Sequence, residues 1–169
     1  LGDEAQAMVL YGDVPLITPA TLQRLAAAAG GGRLALLTVE LEDPTGYGRI
    51  IRDAEGALRA IVEEKDADAA QREIREVNTG VLCADAALLR RWLSRVGNDN
   101  AKGEYYLTDV VALAVADGLA PSAVMAAHAA EVEGVNDRRQ LAQAERSWQR
   151  RQAQQLMLDG VAIADPARF

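Results

Sequence analysis

Two apolar runs joined by a capped helix constrain this chain most. Gln6–Tyr11 (Gln-Ala-Met-Val-Leu-Tyr) is a short apolar run bounded by Gly12-Asp13, the pattern of a buried strand. Thr18-Pro19 supplies an N-cap followed by proline at the first helical position, opening a helix to about Ala29 that Gly30–Gly32 ends. Arg33–Glu40 (Arg-Leu-Ala-Leu-Leu-Thr-Val-Glu) is the next strand, with an apolar centre. This strand–helix–strand succession predicts a βαβ unit in a mostly parallel sheet.

The pattern then changes. Gly48–Arg52 and Ala57–Glu63 flank Asp53-Ala54-Glu55-Gly56 and read as a hairpin with a glycine-containing turn. Glu64–Arg75 is charged and reads as a surface loop or short helix, and Glu76–Ala84 as another strand. Three helices are predicted: Asp85–Arg95, a second capped by Thr108 and stopped at Gly118, and a third from Asn136-Asp137 to about Leu158. The third opens with the capping-box spacing Asp137/Gln140, and Leu141, Ala144, Trp148 and Gln155-Leu156 mark its packing face. Ala123–Ala127 reads as a last short strand.

Half the residues are hydrophobic but only 4% are aromatic, so the core must be built from Ala, Val, Leu and Ile. A net charge of −7 argues against a nucleic-acid partner. It leaves room for a phosphorylated small molecule, whose site needs only local donors or a metal ion. Cys83 is the sole cysteine and sits in the apolar run Val81–Ala84, so it reads as a core residue; with His128 the sole histidine, a Cys/His zinc site lacks ligands. No stretch approaches the ~20 apolar residues of a membrane span, and no signal segment is visible. The expectation is a cytoplasmic protein without a membrane partner.

Four segments offer chemistry, and each has a structural reading beside the functional one. In Leu10-Tyr11-Gly12-Asp13-Val14-Pro15-Leu16, Asp13 stands one step past a strand, where open α/β folds place ligands. It either caps the turn before Pro15 or offers hard oxygens to Mg²⁺. In Glu131–Asp137, Asn136 is either a helix cap or a second ligand to the same ion. Asp43-Pro44-Thr45-Gly46-Tyr47-Gly48-Arg49-Ile50 is either a tight turn or a loop whose backbone receives a ligand. Glu63 and Asn78, at a strand end and within a strand, either serve a structural network or meet sugar hydroxyls.

Taken in order, YGDVPL, DPTGYGRI, IVEEKDA, EVNTG, GEYYLTD and VEGVND resemble the uridylyltransferase domain of the bacterial bifunctional N-acetylglucosamine-1-phosphate uridylyltransferase/glucosamine-1-phosphate acetyltransferases, from about Met8 to Phe169. The resemblance implies a Rossmann-like nucleotidyltransferase fold, an α/β mixed sheet flanked by helices. It implies Mg²⁺ held by Asp13 and Asn136, and nucleotide-sugar contacts at Tyr11 and Gly12. Gly48, Glu63 and Asn78 match the N-acetylglucosamine-binding positions, and Tyr106 and Thr108 help line that pocket. The implied reaction joins UTP and N-acetylglucosamine 1-phosphate into UDP-N-acetylglucosamine and pyrophosphate, a precursor step of peptidoglycan and cell-wall synthesis.

The departures are equally specific. The family's glycine-rich phosphate loop is missing from this sequence, since Gly30–Gly32 ends a helix rather than opening one. The chain opens at Leu1, not Met, so the expectation is a portion of a longer protein, inactive alone. Its expected division is 1–136 for the later part of the uridylyltransferase domain, 137–159 for a linker helix and 160–169 for the start of a left-handed β-helix. That β-helix would carry the acetyltransferase and build a homotrimer in the parent. Two alternatives stay open: a non-catalytic nucleotide-sugar-binding module, and a related sugar-1-phosphate nucleotidylyltransferase.

Overall fold

The structure is a computed structural model and describes residues 2, 5–100 and 102–169; Leu1 lies outside them. Among the described residues six strands form one mixed sheet: β1 (Gln6–Val9), β2 (Ala35–Glu40), β3 (Arg49–Arg52), β4 (Leu58–Val62), β5 (Glu76–Asp85) and β6 (Ser122–Met125). Their order is β4-β3-β5-β2-β6, with β1 also paired to β5. The helices are α1 (Pro19–Ala28), α2 (Ala69–Arg72), α3 (Ala86–Leu93), α4 (Asp109–Ala116) and α5 (Arg138–Leu158).

The βαβ expectation needs correction. β1 and β2 run in the same direction, yet each pairs antiparallel with β5, which lies between them. The parallel pair is β2–β6. A hydrophobic run reports that a strand is buried on both faces, not which strand lies beside it. The sheet is therefore mixed, and α1 connects two strands on opposite edges of β5.

Alternation along the strands builds two cores. Leu34 and Leu36 point to one face with Leu82 and Ala84, where α3 and α4 add Leu89, Trp92, Val110 and Val111. Ala35, Leu37 and Val39 point to the other with Val77, Val81 and Cys83, covered by Leu25 and Ala29 at α1. Cys83 is buried, as a small core side chain should be.

Capping chemistry places the helices. Thr18 accepts from the Thr21 N–H at the start of α1, and Asp137 and Gln140 form the full capping box of α5. α3 and α4 are joined by Asp117, which accepts from Trp92 Nε1 at 3.0 Å and pairs with Arg91 and Arg95.

The expected packing face of α5 is wrong in part. Ala144 and Leu156 are half-buried, but Leu141 and Trp148 are about half exposed. The capping box and the bond from Arg151 Nη1 to the Leu16 carbonyl (3.2 Å) fix the rotation of the helix. Small and polar side chains then face the body. The tail folds back onto α5, with Arg146 Nη1 donating to the carbonyls of Ala167 and Phe169. No helix among the described residues is long and apolar enough to cross a membrane.

Trp92 is the largest side chain with no exposure. Trp92→Phe should cost about 2 kcal/mol, from the lost ring volume and the lost Asp117 bond; urea unfolding measures it.

Candidate functional site

One edge of β5 is shared by two strands. β1 pairs with its residues 82–85 and β3 with Val77. Between them lies the segment Asn78–Val81, and there β5 also departs from regular pairing with β2 on its other edge. Leu36 pairs with Leu82 and Thr38 with Asn78, so Leu37 alone stands opposite Thr79, Gly80 and Val81. This is a bulge, and its displaced backbone groups find side-chain partners. The Asn78 side-chain oxygen accepts from Gly80 N at 3.1 Å. The Thr79 hydroxyl accepts from Val81 N and donates to the Leu37 carbonyl at 2.7 Å. The string Glu-Val-Asn-Thr-Gly thus encodes its own distortion.

A cleft of about 410 Å³ opens over that gap. Gly48, Glu63, Asn78, Tyr106, Thr108 and Tyr11 all line it, so it gathers most of the residues singled out in the sequence. The Gly48 carbonyl accepts from Asn78 N at 2.9 Å. A Cβ on Gly48 would fall 2.8 Å from Ile61 Cγ2 and 3.4 Å from Glu63 Oε1, so a side chain there would strike the hairpin and crowd the carboxylate. Arg49, buried beside it, pairs with Glu64 at 2.7 Å and donates to the Tyr47 carbonyl, fixing the loop before Gly48.

Thr108 departs from expectation. It precedes α4, but its side chain makes no capping bond. Its hydroxyl donates instead to Glu63 Oε1 at 3.0 Å. The hydroxyl is needed to orient a carboxylate at the rim of the cleft, and the helix start forgoes it.

Asp13 follows the cleft-lining Tyr11 by two residues, and Asn136 approaches it across Gly134. The Asp13 carbonyl accepts from Val135 N at 2.8 Å, tying the two loops. The point where a Cβ on Gly134 would sit lies 3.3 Å from Asp13 Oδ2 and 3.8 Å from Asn136 Nδ2. Both side chains converge on space that a glycine leaves open. A carboxylate and an amide are hard oxygen donors of the kind Mg²⁺ takes, and a half-turn of the Asn136 amide brings its oxygen forward. Among the described residues no three His, Cys, Asp or Glu side chains gather as a metal cluster. A cation here would draw its remaining ligands from water and phosphate oxygens, as Mg²⁺ commonly does. The Asn136 N–H is itself held by Gln140 Oε1 at 2.7 Å, so the helix cap and the side chain's placement coincide.

The charge pattern is acidic around the cleft. Burial, then the neighbouring carboxylates Asp66, Glu104, Glu63 and Asp109, pushes the Tyr106 hydroxyl upward. Burial and Asp66 raise the Asp109 carboxyl likewise. Glu131 shows the opposite balance. Burial raises it, but hydrogen bonds from Thr21 and Thr18 together outweigh that and hold it below its ordinary value. It accepts from Thr18 N at 3.0 Å and Thr18 Oγ1 at 2.7 Å, anchoring the segment before Asn136 to the start of α1.

Gly80, Thr79 and Glu131 were not singled out from the sequence for these tasks. A glycine inside an apolar strand was the available signal for the first.

Because the Glu131 carboxyl is depressed in the folded state, its contribution is full above the ordinary glutamate value of about 4.3. It is lost as pH falls through the lower folded value. Glu131→Gln should therefore lower stability at neutral pH and flatten the acid limb, read by urea unfolding across the acid range.

No family model matches the chain. The bifunctional protein GlmU of Alkalilimnicola ehrlichii is 60% identical over 167 residues, covering 99% of this chain and 36% of the relative. GlmU of an Azoarcus species is 60% identical over 169 residues, covering 100% and 37%, and that of Methylococcus capsulatus is 57% identical with the same coverage. The chain is thus similar along its whole length to these GlmU proteins, and it spans 36–37% of their length.

Proposed function

We propose that this chain forms the sugar-binding and metal-holding part of a uridylyltransferase site, in a Rossmann-like nucleotidyltransferase fold. The observation that carries this reading is the convergence of Asp13 and Asn136 on Gly134, with Asp13 two residues after the Tyr11 that lines the cleft of Gly48, Glu63, Asn78 and Thr108, in a chain 60% identical to GlmU.

Each residue then has a task. Glu63, held by Thr108, accepts hydroxyl protons from the sugar. Asn78, whose oxygen is already taken by Gly80 N, keeps its amide N–H₂ to donate. Gly48 admits the sugar because no side chain fills its place. Tyr11 forms a wall between the sugar and the Asp13 loop, and Gly12 lets the backbone near a phosphate. A phosphate oxygen of N-acetylglucosamine 1-phosphate attacks the α-phosphorus of UTP, a new P–O bond forms, and the bond to pyrophosphate breaks. No side-chain nucleophile takes part, so the residues act by positioning and by balancing charge. Mg²⁺, when held by Asp13 and Asn136, would neutralise negative charge on the phosphates.

We propose for the whole protein an acetyltransferase activity as well, a homotrimeric assembly and a cytoplasmic location. Within the chain, residues 1–136 would belong to the uridylyltransferase body, 137–159 to a linker helix and 160–169 to the start of the acetyltransferase part. The α5 capping box at Asp137 supports the first of these limits.

The test is a graft of this chain in place of the matching segment of the A. ehrlichii GlmU. Expected is Mg²⁺-dependent pyrophosphate release from UTP with N-acetylglucosamine 1-phosphate, reduced about 10²–10³-fold in kcat by Asp13→Ala or Asn136→Ala. A folded graft that binds UDP-N-acetylglucosamine without turnover would instead support the non-catalytic module. Preference for a non-acetylated sugar phosphate would support the related transferase.

A further inference from the structure

Gly80 occupies the middle of the β5 bulge with φ at +82°. A Cβ built there would fall 2.2 Å from Cε2 of Tyr11, 2.8 Å from its Cζ and 2.9 Å from its hydroxyl oxygen. The Tyr11 ring therefore lies over the spot where any other residue would carry its side chain. Tyr11 itself is 47% exposed, so burial in a core does not orient it. Its support is the bare backbone of the bulge.

Two features connect this seat to the cleft. The Tyr11 ring lines the cleft together with Gly48, Glu63, Asn78 and Thr108. Tyr11 also lies two residues before Asp13, in a turn closed by the bond from Val14 N to the Tyr11 carbonyl. A displaced ring would change the sugar wall and pull on the loop carrying the carboxylate. The same bulge turns the Asn78 oxygen inward to Gly80 N, so one backbone distortion sets two cleft-lining side chains.

We propose that Gly80 is a positioning residue that sets the affinity of the cleft for its sugar by seating the Tyr11 ring. This rests on the sugar-phosphate reading above. Gly80 lines the cleft with bare backbone and offers no side chain to a ligand; it acts through Tyr11. A substitution at Gly80 has two separable effects. The positive φ strains any L-residue regardless of its neighbours. The collision with the ring exists only while Tyr11 is present.

That separation provides the test. The 169-residue chain and its variants Gly80→Ala, Tyr11→Leu, Tyr11→Phe and Gly80→Ala/Tyr11→Leu are titrated with α-N-acetylglucosamine 1-phosphate by calorimetry, with urea unfolding of each. Gly80→Ala and Tyr11→Leu should each weaken binding about 10- to 100-fold. The double variant should bind no worse than either single one, and Tyr11→Phe should bind as the unsubstituted chain does, since the ring and not the hydroxyl is seated. General strain alone would give losses that multiply, and that result overturns the proposal, as does unchanged binding by Gly80→Ala. If Gly80→Ala does not fold, rescue of folding by Tyr11→Leu supports the seat and absence of rescue overturns it. Absence of binding by the unsubstituted chain sinks the functional reading and this inference with it. Binding that Gly80→Ala leaves intact sinks this inference alone.

Discussion

The site depends on β5 being longer than either strand along one of its edges. β1 and β3 divide that edge, and the residues between them carry a bulge in place of a ladder. Unpaired backbone in a sheet is costly unless other groups satisfy it. Here the side chains of Asn78 and Thr79 do so, which permits a gap along one edge of β5. Gly48 comes from one side of that opening, Tyr11 from the other, and α4 closes over it with Thr108. The two buried cores lie on either face and hold the frame while the opening stays accessible.

The carboxylates fall into three groups. Asp53, Glu76 and Asp117 are paired with arginines and act as ties between elements. Glu63 and Asp13 stand in no ion pair among the described residues. Glu63 is steadied by a neutral hydroxyl, which fixes its direction without cancelling its charge. A carboxylate already matched by a guanidinium would have little left to offer a ligand. Glu131 follows a third pattern, buried yet held by threonines, and it joins the start of α1 to the segment leading to Asn136.

Local chemistry was legible in the sequence where it acts over a few residues. Thr18-Pro19 opens α1, Asp137 with Gln140 opens α5, and the glycine turn at Asp53–Gly56 closes a hairpin. Strand order was not legible, because a run such as Leu34–Val39 looks the same beside a parallel or an antiparallel neighbour. Thr108 misled for a related reason: the local pattern predicts a cap, and a glutamate 45 residues earlier claims the hydroxyl. Trp148 and Leu141 fit a helical stripe, but the rotation of α5 is set by Arg151 reaching Leu16, a contact outside the helix. The candidate site was found through separate strings, and their meeting place depends on a bulge that only pairing registers reveal.

The β3–β4 hairpin separates two kinds of chain. Gly48 and Glu63 sit at its open end, whereas the tip at Asp53–Gly56 is closed by its own bonds, from Ala57 N to Asp53 Oδ1 and from Gly56 N to the Asp53 carbonyl. The tip is exposed and far along the strands from the opening. A fluorophore or epitope spliced at Glu55 would therefore report on the molecule while leaving its recognition surface unlabelled.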